Sequence, residues 1–168
     1  MAEKYDVFSS SIKYSGIFSF SDFYNFCYEW LSEEAGMSVS EGKYTEKLKG
    51  NSKDIVVEWD GKRKLTDYFR FDAKIKLEVG GLKVVEINKE GRKITTNEGS
   101  VKISVKGILV KDYESKFEET PVLKFLRGVY EKWIIASRIE EFEGKIVGDC
   151  NEFLSQAKAY LDLEGKRQ

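Results

Sequence analysis

The side chains that most often carry out acid–base, nucleophilic or metal chemistry are scarce in this sequence of 168 residues. It contains no histidine, which removes Ser–His and Cys–His nucleophile pairs, the usual general base near neutral pH and any imidazole metal ligand. Cys27 and Cys150 lie too far apart in sequence for a CxxC redox pair or a zinc knuckle. Because both stand among apolar residues, we interpret them as buried reduced thiols, while a disulfide between them stays open.

Acidic residues cluster around the predicted C-terminal helices. Glu118 and Glu119 precede one helix, and Glu140, Glu141 and Glu143 lie along it. Paired carboxylates can bind a divalent cation or transfer protons, but only in a cleft that perturbs their pKa. A solvated helix face is the simpler interpretation, and the first pair favours the positive end of the helix.

Nucleotide-binding signatures are missing as well. Neither GxxxxGK[ST] nor GxGxxG occurs in the chain. The sequence therefore predicts no catalytic residue, no cofactor and no metal site, and it favours a protein that is not an enzyme.

Basic residues are concentrated in the central part of the chain. Residues 37–113 contain 17 Lys and Arg against 12 Asp and Glu, whereas the whole chain contains 28 against 29. Strand alternation predicts that five of them share one exposed face: Arg70, Lys74, Lys76, Lys102 and Lys106. Such a face is a candidate for binding phosphate or an anionic surface. Nucleic acid is the less favoured partner, because acidic residues interleave and aromatic platforms are missing from that face.

Aromatic residues make up 14% of the chain, more than a minimal core needs. A sheet closed by a helix can enclose an apolar ligand cavity, although a filled core is the commoner outcome. The candidate lining of such a cavity is Phe69, Phe71, Ile75, Val105 and Trp133. Alternatively, spare apolar positions on the C-terminal helices form a surface for a homodimer or a protein partner. Those positions are Ile135, Ile139, Phe142 and Ile146.

The strands that position these residues are read from alternation. Residues 69–79 alternate strictly, which predicts a strand with one dry and one wet face. The dry-face residues are Phe69, Phe71, Ala73, Ile75, Leu77 and Val79. Turn signals recur through residues 43–111, at Asp60-Gly61, Gly80-Gly81, Lys89-Glu90-Gly91 and Asn97-Glu98-Gly99. With a strand over 1–14, they predict a curved antiparallel meander of about six to seven strands, with a bulge or bend at Gly107.

Helices are predicted on both sides of this sheet region in the sequence. Ser21 is a hydroxyl cap for a helix over 22–35, and Thr120-Pro121 begins a helix over 121–143. A capping-box pattern at 149–152 predicts a last helix over 150–163. The sequence equally permits one long bent helix through 121–163, because an internal glycine costs only about 1 kcal/mol relative to alanine.

The element order resembles the helix-grip (START-like) arrangement, in which a curved antiparallel sheet wraps a long C-terminal helix. It departs from that family early in the chain, where the family usually has two helices and this sequence predicts one. The segments SIKYSGIFSF, LVKDYESKF and FLSQAKAYLDLEG are similar to small uncharacterised archaeal proteins. This resemblance implies an archaeal lineage and no particular activity.

Together these patterns predict a single α+β domain over residues 1–168. No apolar run reaches the length of a membrane span, and the N-terminus lacks a signal-peptide pattern, so we expect a cytoplasmic protein. The expected role is a non-enzymatic binding or interaction domain that holds an apolar ligand or a protein partner. The alternative role is binding of nucleic acid or another anionic surface through the lysine-rich face.

Overall fold

The computed structural model describes residues 3–111, 121–129, 132 and 136–166. It confirms an α+β fold with one antiparallel sheet and a long C-terminal helix. In chain order the elements are β1 (Glu3–Ile17), α1 (Phe20–Glu29), a π-helical turn (Trp30–Glu34), β2 (Ser38–Lys49), β3 (Ser52–Lys64), β4 (Phe69–Lys89), β5 (Arg92–Lys111), α2 (Pro121–Val129) and α3 (Ala136–Lys166).

The five strands lie in the order β1-β5-β4-β3-β2, and every neighbouring pair is antiparallel. Strands β2 to β5 follow one another as hairpins, because each pairs with the next along the chain. The first strand then pairs with the last. As a result β1 and β2, which flank α1 in sequence, form the two edges of the sheet.

The prediction of six to seven strands is wrong because three turn signals lie inside longer strands. Gly80-Gly81 is a bulge within β4, where Gly81 takes a φ of 61° and the register shifts between Gly80 and Lys83. Asp60-Gly61 lies within β3, paired with Lys74 and Ala73, and residues 97–99 lie within β5. Of the four signals only Glu90-Gly91 forms a hairpin turn, with φ values of 53° and 79°.

Several predicted boundaries also move. The first strand extends to Ile17 rather than residue 14, and the sheet region begins at Ser38 rather than 43. The first helix begins at Phe20, because the hydroxyl of Ser19, not Ser21, accepts a hydrogen bond from the Asp22 backbone N–H at 3.4 Å. It ends in the π-helical turn at 30–34.

The predicted helix over 121–143 falls partly on α2, Pro121–Val129, and partly on α3, Ala136–Lys166. Residues 130, 131 and 133–135 between them lie outside the described residues. Helix α3 continues through Gly144 and Gly148, so the alternative of an unbroken helix is correct for that stretch. Neither glycine has another group near its Cα, and both face outwards.

The hydrophobic core lies on one face of the sheet, where α1 and α3 pack. The six dry-face residues of 69–79 are at most 3% exposed, which confirms the predicted alternation. The helices contribute the buried side chains Phe23, Cys27, Ile146, Cys150, Phe153, Ala157 and Leu161. We call this the helix-facing side and the opposite side the outer face.

Glycine 107 sets how closely α3 approaches the sheet. A Cβ at this position would lie 2.8 Å from Cγ2 of Ile146 and 3.0 Å from Sγ of Cys150. The sequence predicts a bulge or bend here, and the β1–β5 pairing has a register shift at this position, between Asp6 and Phe8 of β1, opposite Ile108 and Gly107 of the continuous strand β5. Glycine is therefore required here by the helix above it.

Candidate functional site

The outer face gathers four of the five residues predicted to bind an anion. Lys74 and Lys106 face each other directly across β4 and β5, and Lys76 faces Ser104. Lys102 faces Lys13 across β5 and β1, a neighbour that the sequence did not reveal. Since directly opposed residues on one sheet face have Cβ atoms only about 5 Å apart, the register creates two adjacent like-charge pairs.

Hydroxyl groups fill the positions beside these lysines. Along β1, Ser9 stands opposite Lys106 and Ser11 stands opposite Ser104. Each lysine ammonium offers three N–H donors, and each serine offers one O–H donor. The centre of the outer face is thus rich in donors suited to an oxyanion.

Two shallow grooves lie on this face. The larger, of about 530 Å³, is lined by Ser9, Glu58, Asp60, Lys74, Lys76, Ser104 and Lys106, among others. The smaller, of about 430 Å³, is lined by Lys13, Ser15, Asp54, Glu78, Ser100 and Lys102, among others. Both volumes fall in the range of small-ligand sites.

Carboxylates also stand on this face, with Asp60 directly opposite Lys74 and Glu78 directly opposite Lys102. Lys76 lies 4.0 Å from Glu58 and 3.8 Å from Glu78, which are long, exposed ion pairs of little energetic weight. Lys106 has a closer partner, Asp6 at 3.1 Å. Within the described part of the chain, Lys13, Lys74 and Lys102 have no ion pair. An anion can therefore approach the middle of the face without displacing a strong internal partner.

Arg70 lies at one end of the same face, but its guanidinium is already engaged. Its Nε donates to Oδ1 of Asp72 at 2.6 Å, and its Nη2 donates to Oδ2 at 2.9 Å. Asp72 is only 8% exposed, which makes this forked pair a strong one. An anion at Arg70 would have to compete with Asp72, so Arg70 contributes less than the lysines.

The residues predicted to line an apolar cavity lie in the core on the helix-facing side. Phe69, Phe71, Ile75 and Val105 are between 1% and 4% exposed, and Ile75 stands directly opposite Val105. The fifth, Trp133, lies outside the described residues. Phe69 packs against the ring of Phe142 on α3, with centroids 5.2 Å apart. In this structure the four described residues pack within the core. An apolar cavity lined by them therefore stays a prediction.

A partly buried arginine lies at one end of that core. The guanidinium of Arg63 lies 5.4 Å from the ring centre of Phe71, donates to the Ala35 carbonyl at 2.6 Å and pairs with Asp149 of α3 at 2.9 Å. This side chain ties β3, the end of the π-helical turn and α3 together, which indicates a structural role.

The two cysteines are free thiols, and both are buried. Burial raises the pKa of the Cys27 thiol far above its usual range. Burial and, secondarily, the neighbouring carboxylate of Asp149 raise the pKa of Cys150 to about 12. Because the thiolate is the reactive form, neither cysteine is arranged as a nucleophile.

Searches against protein-family models, curated proteins and solved structures found no match to this chain. Within the described ranges, no three His, Cys, Asp or Glu side chains are grouped so that they could hold a metal ion. Among the described helices, none combines the length and the apolar character needed to cross a bilayer.

Sequence reasoning missed a cluster of tyrosines beside the edge strand β2. Tyr24 and Tyr28 of α1 and Tyr44 of β2 surround Trp59 of β3 and the carboxylate of Glu41. The i, i+4 spacing of Tyr24 and Tyr28 was the available signal, since it places both on one helix face. Their partners depend on strand register and were not accessible from the sequence.

Proposed function

We propose that this protein is a non-enzymatic binding domain that holds an anionic ligand on the outer face of its sheet. The two lysine pairs, Lys74–Lys106 and Lys13–Lys102, carry this proposal. Like charges directly opposite one another destabilise a sheet by some tenths of a kcal/mol. An anion bound between the two lysines of a pair attracts both of them and so offsets their mutual repulsion.

The spacing of the pairs indicates a ligand with more than one anionic group. Lys102 and Lys106 are four residues apart on β5, which corresponds to about 13 Å along the strand. Phosphate or carboxylate groups separated by that span can contact both pairs, with the serines of β1 and β5 between them. Glu58 and Asp60 on β3 repel the ligand from that side, so it lies along β5.

Nucleic acid fits this face less well than a smaller polyanion. The outer-face positions next to the lysines are serines, lysines and acids, so unstacked bases find no aromatic side chain there. The sequence pI of about 5.8 is also low for a nucleic-acid-binding domain.

Titration calorimetry with inorganic tripolyphosphate tests the proposal. We expect binding that weakens at least about tenfold between about 20 mM and about 200 mM NaCl, because the contacts are ionic. Lys74→Gln/Lys106→Gln should remove the binding. The matched control Lys89→Gln/Lys93→Gln removes the same charge at the far end of the β4–β5 hairpin and should leave it in place. Absence of binding to the wild type at low salt would refute the proposal.

The hypothesis of an apolar ligand concerns the helix-facing side of the sheet and can be tested independently of the anion-binding proposal. Native mass spectrometry of the purified protein distinguishes it, because a retained apolar ligand adds mass to the bare polypeptide. An unaltered mass, together with no uptake of an apolar fluorescent probe, would eliminate it.

A second candidate function is association through α2, favoured by its exposed apolar side chains. Val122, Phe125 and Leu126 are 67%, 71% and 46% exposed. By contrast, three of the positions predicted for this role lie against the core: Ile146 is fully buried, Phe142 packs on Phe69, and Ile139 is partly buried. The fourth, Ile135, lies outside the described residues. Light scattering after size-exclusion chromatography should give a dimer that Phe125→Asp dissociates and Lys124→Asp does not. A monomer at high concentration would exclude self-association.

A further inference from the structure

Three tyrosines, a tryptophan and the carboxylate of Glu41 lie together where α1 meets the edge strand β2. We call Tyr24, Tyr28, Tyr44 and Trp59 the aromatic cradle. The register of β2 and β3 places Glu41 directly opposite Trp59 and Tyr44 opposite Val57, all on the helix-facing side. The cradle lies on the opposite side of the sheet from the lysine pairs.

The aromatic cradle combines one buried ring, that of Trp59, with tyrosine rings that pack in edge-to-face contacts. Trp59 is 1% exposed, and its ring centre lies 5.0 Å from Tyr24 and 5.8 Å from Tyr28, at interplanar angles of 67° and 73°. Tyr44 meets Tyr24 at 6.2 Å and 78°. Two of these tyrosines remain partly open to solvent, since Tyr28 is 37% and Tyr44 is 43% exposed. Their accessible faces carry the negative potential that attracts cations.

Glu41 supplies a formal negative charge at the same place. Its Oε1 accepts a hydrogen bond from the Tyr24 hydroxyl at 2.5 Å and from the Trp59 indole N–H at 3.3 Å. Both donors are neutral: burial, followed by the hydrogen bond to Glu41, raises the pKa of Tyr24. Among the residues that the structure describes, no basic side chain pairs with Glu41. The carboxylate is thus held in position by the cradle while its charge is uncompensated.

A bulge in β2 builds this site. The register shifts between Glu41 and Lys43, so that Gly42 is the additional residue. In an unbroken strand Glu41 and Tyr44, three residues apart, would point to opposite faces. The bulge brings both to the helix-facing side, next to the two tyrosines of α1. Bulges commonly re-aim side chains beside binding sites.

We propose that the aromatic cradle and Glu41 bind a trimethylammonium group. Such a cation is weakly hydrated and interacts with the faces of aromatic rings. The exposed rings here are those of Tyr28 and Tyr44, whereas Trp59 is buried, and Glu41 balances the charge of the cation. Two carboxylates hydrogen-bond to these rings: Glu41, and Glu46 through the Tyr44 hydroxyl at 2.8 Å. A metal ion is a poorer occupant, since it needs several oxygen ligands and Glu46 is also paired with Lys53. Free choline and a trimethyl-lysine side chain share the required chemistry.

Two-dimensional NMR of the full-length protein tests this proposal through the Trp59 indole N–H, assigned with Trp59→Phe. Choline chloride and a short peptide containing trimethyl-lysine are titrated separately, with sodium chloride and the unmethylated peptide as references. We expect a saturable shift of the Trp59 signal with one or both trimethylammonium probes and none with the references. Binding of the peptide alone would identify a protein side chain as the source, and binding of choline a free ligand.

Matched variants sharpen the result. Glu41→Gln keeps the shape and the hydrogen-bond acceptor but removes the charge, and Tyr28→Leu removes one of the exposed aromatic rings. Each should weaken binding about two- to fivefold, whereas Glu86→Gln, an exposed carboxylate on β4, should not. Circular dichroism melting of each variant verifies folding. No shift with either probe, an equal response to the unmethylated peptide, or equal affinity of wild type and Glu41→Gln would overturn the proposal.

Discussion

The two sides of this sheet share strands but differ in almost every other respect. On the helix-facing side, Leu77 and Ile103 stand opposite each other, fully buried beneath the helices. The adjacent residues on the two strands, Lys76 and Ser104, also stand opposite each other, but they lie on the outer face, open to solvent. The same backbone therefore carries a packed core on one side and an array of ammonium and hydroxyl groups on the other.

We expect this difference to separate stability from the proposed anion binding. Burial of apolar area stabilises the fold by roughly 25 cal/mol per Å², and that area lies on the helix-facing side. The outer face adds like-charge contacts that oppose folding. Substitutions on the helix-facing side should consequently change the stability of the fold, whereas substitutions on the outer face should change anion binding.

The largest effect is expected from the buried side of β4. Leu77→Ala removes a fully buried side chain beneath the helices and should lower the free energy of unfolding by about 2–5 kcal/mol. Its outer-face neighbour is the matched control: Lys76→Ala should change the same quantity by no more than about 0.5 kcal/mol. Urea denaturation followed by circular dichroism measures both. Equal losses for the two variants would contradict this separation.

Gly107 tests the contact between α3 and the sheet. Gly107→Ala places a Cβ 2.8 Å from Ile146 and should destabilise the protein by about 1–3 kcal/mol through overpacking. Gly144→Ala, on the open side of α3, should instead stabilise it by up to about 1 kcal/mol, because alanine is the better helix former. If Gly107→Ala proved neutral in the same denaturation assay, α3 would not lie as close to β5 as described.

Arg63 tests whether the charged end of the helix-facing side is structural. Arg63→Met keeps the aliphatic contact with Phe71 but removes the hydrogen bonds to Ala35 and Asp149. We expect a loss of about 1–2 kcal/mol, since Asp149 and a backbone carbonyl lose a partner at a partly buried site. The loss should be smaller in the Asp149→Ala background, where only the Ala35 carbonyl loses a partner. Equal losses in both backgrounds would show that Arg63 and Asp149 are not coupled.

The smallest effect concerns the lysine pairs. Lys13→Glu replaces a like-charge neighbour of Lys102 with an opposite one and should stabilise the protein by about 0.2–1 kcal/mol at low salt. It should also weaken tripolyphosphate binding. A variant that gained stability and kept its affinity would show that the Lys13–Lys102 pair takes no part in binding.

Parts of this organisation followed from the sequence alone. Period-two alternation over 69–79 identified the buried and exposed faces of β4, because side chains of a strand must alternate between sides. It also placed Lys74 and Lys76 on the outer face. Pro121 is the first described residue of α2, and proline suits the first turn of a helix. Thr120, the predicted cap, lies outside the described residues.

Other parts depend on pairings that no local pattern contains. Gly80-Gly81 has the composition of a hairpin loop, but β3 and β5 pair with β4 beyond it, so the strand continues with a bulge. The proximity of Lys13 to Lys102 requires that the first strand joins the last. Tyr44 reaches the aromatic cradle only because of the bulge at Gly42, which inverts the alternation of β2.

The position of a bound polyanion is the most direct test of the central claim, that the outer face is the binding surface. A crystal structure of the protein with tripolyphosphate should place phosphate oxygens within about 3 Å of the Nζ atoms of Lys74 and Lys106. Phosphate bound beneath the helices, or at Arg63 rather than on the outer face, would contradict the account.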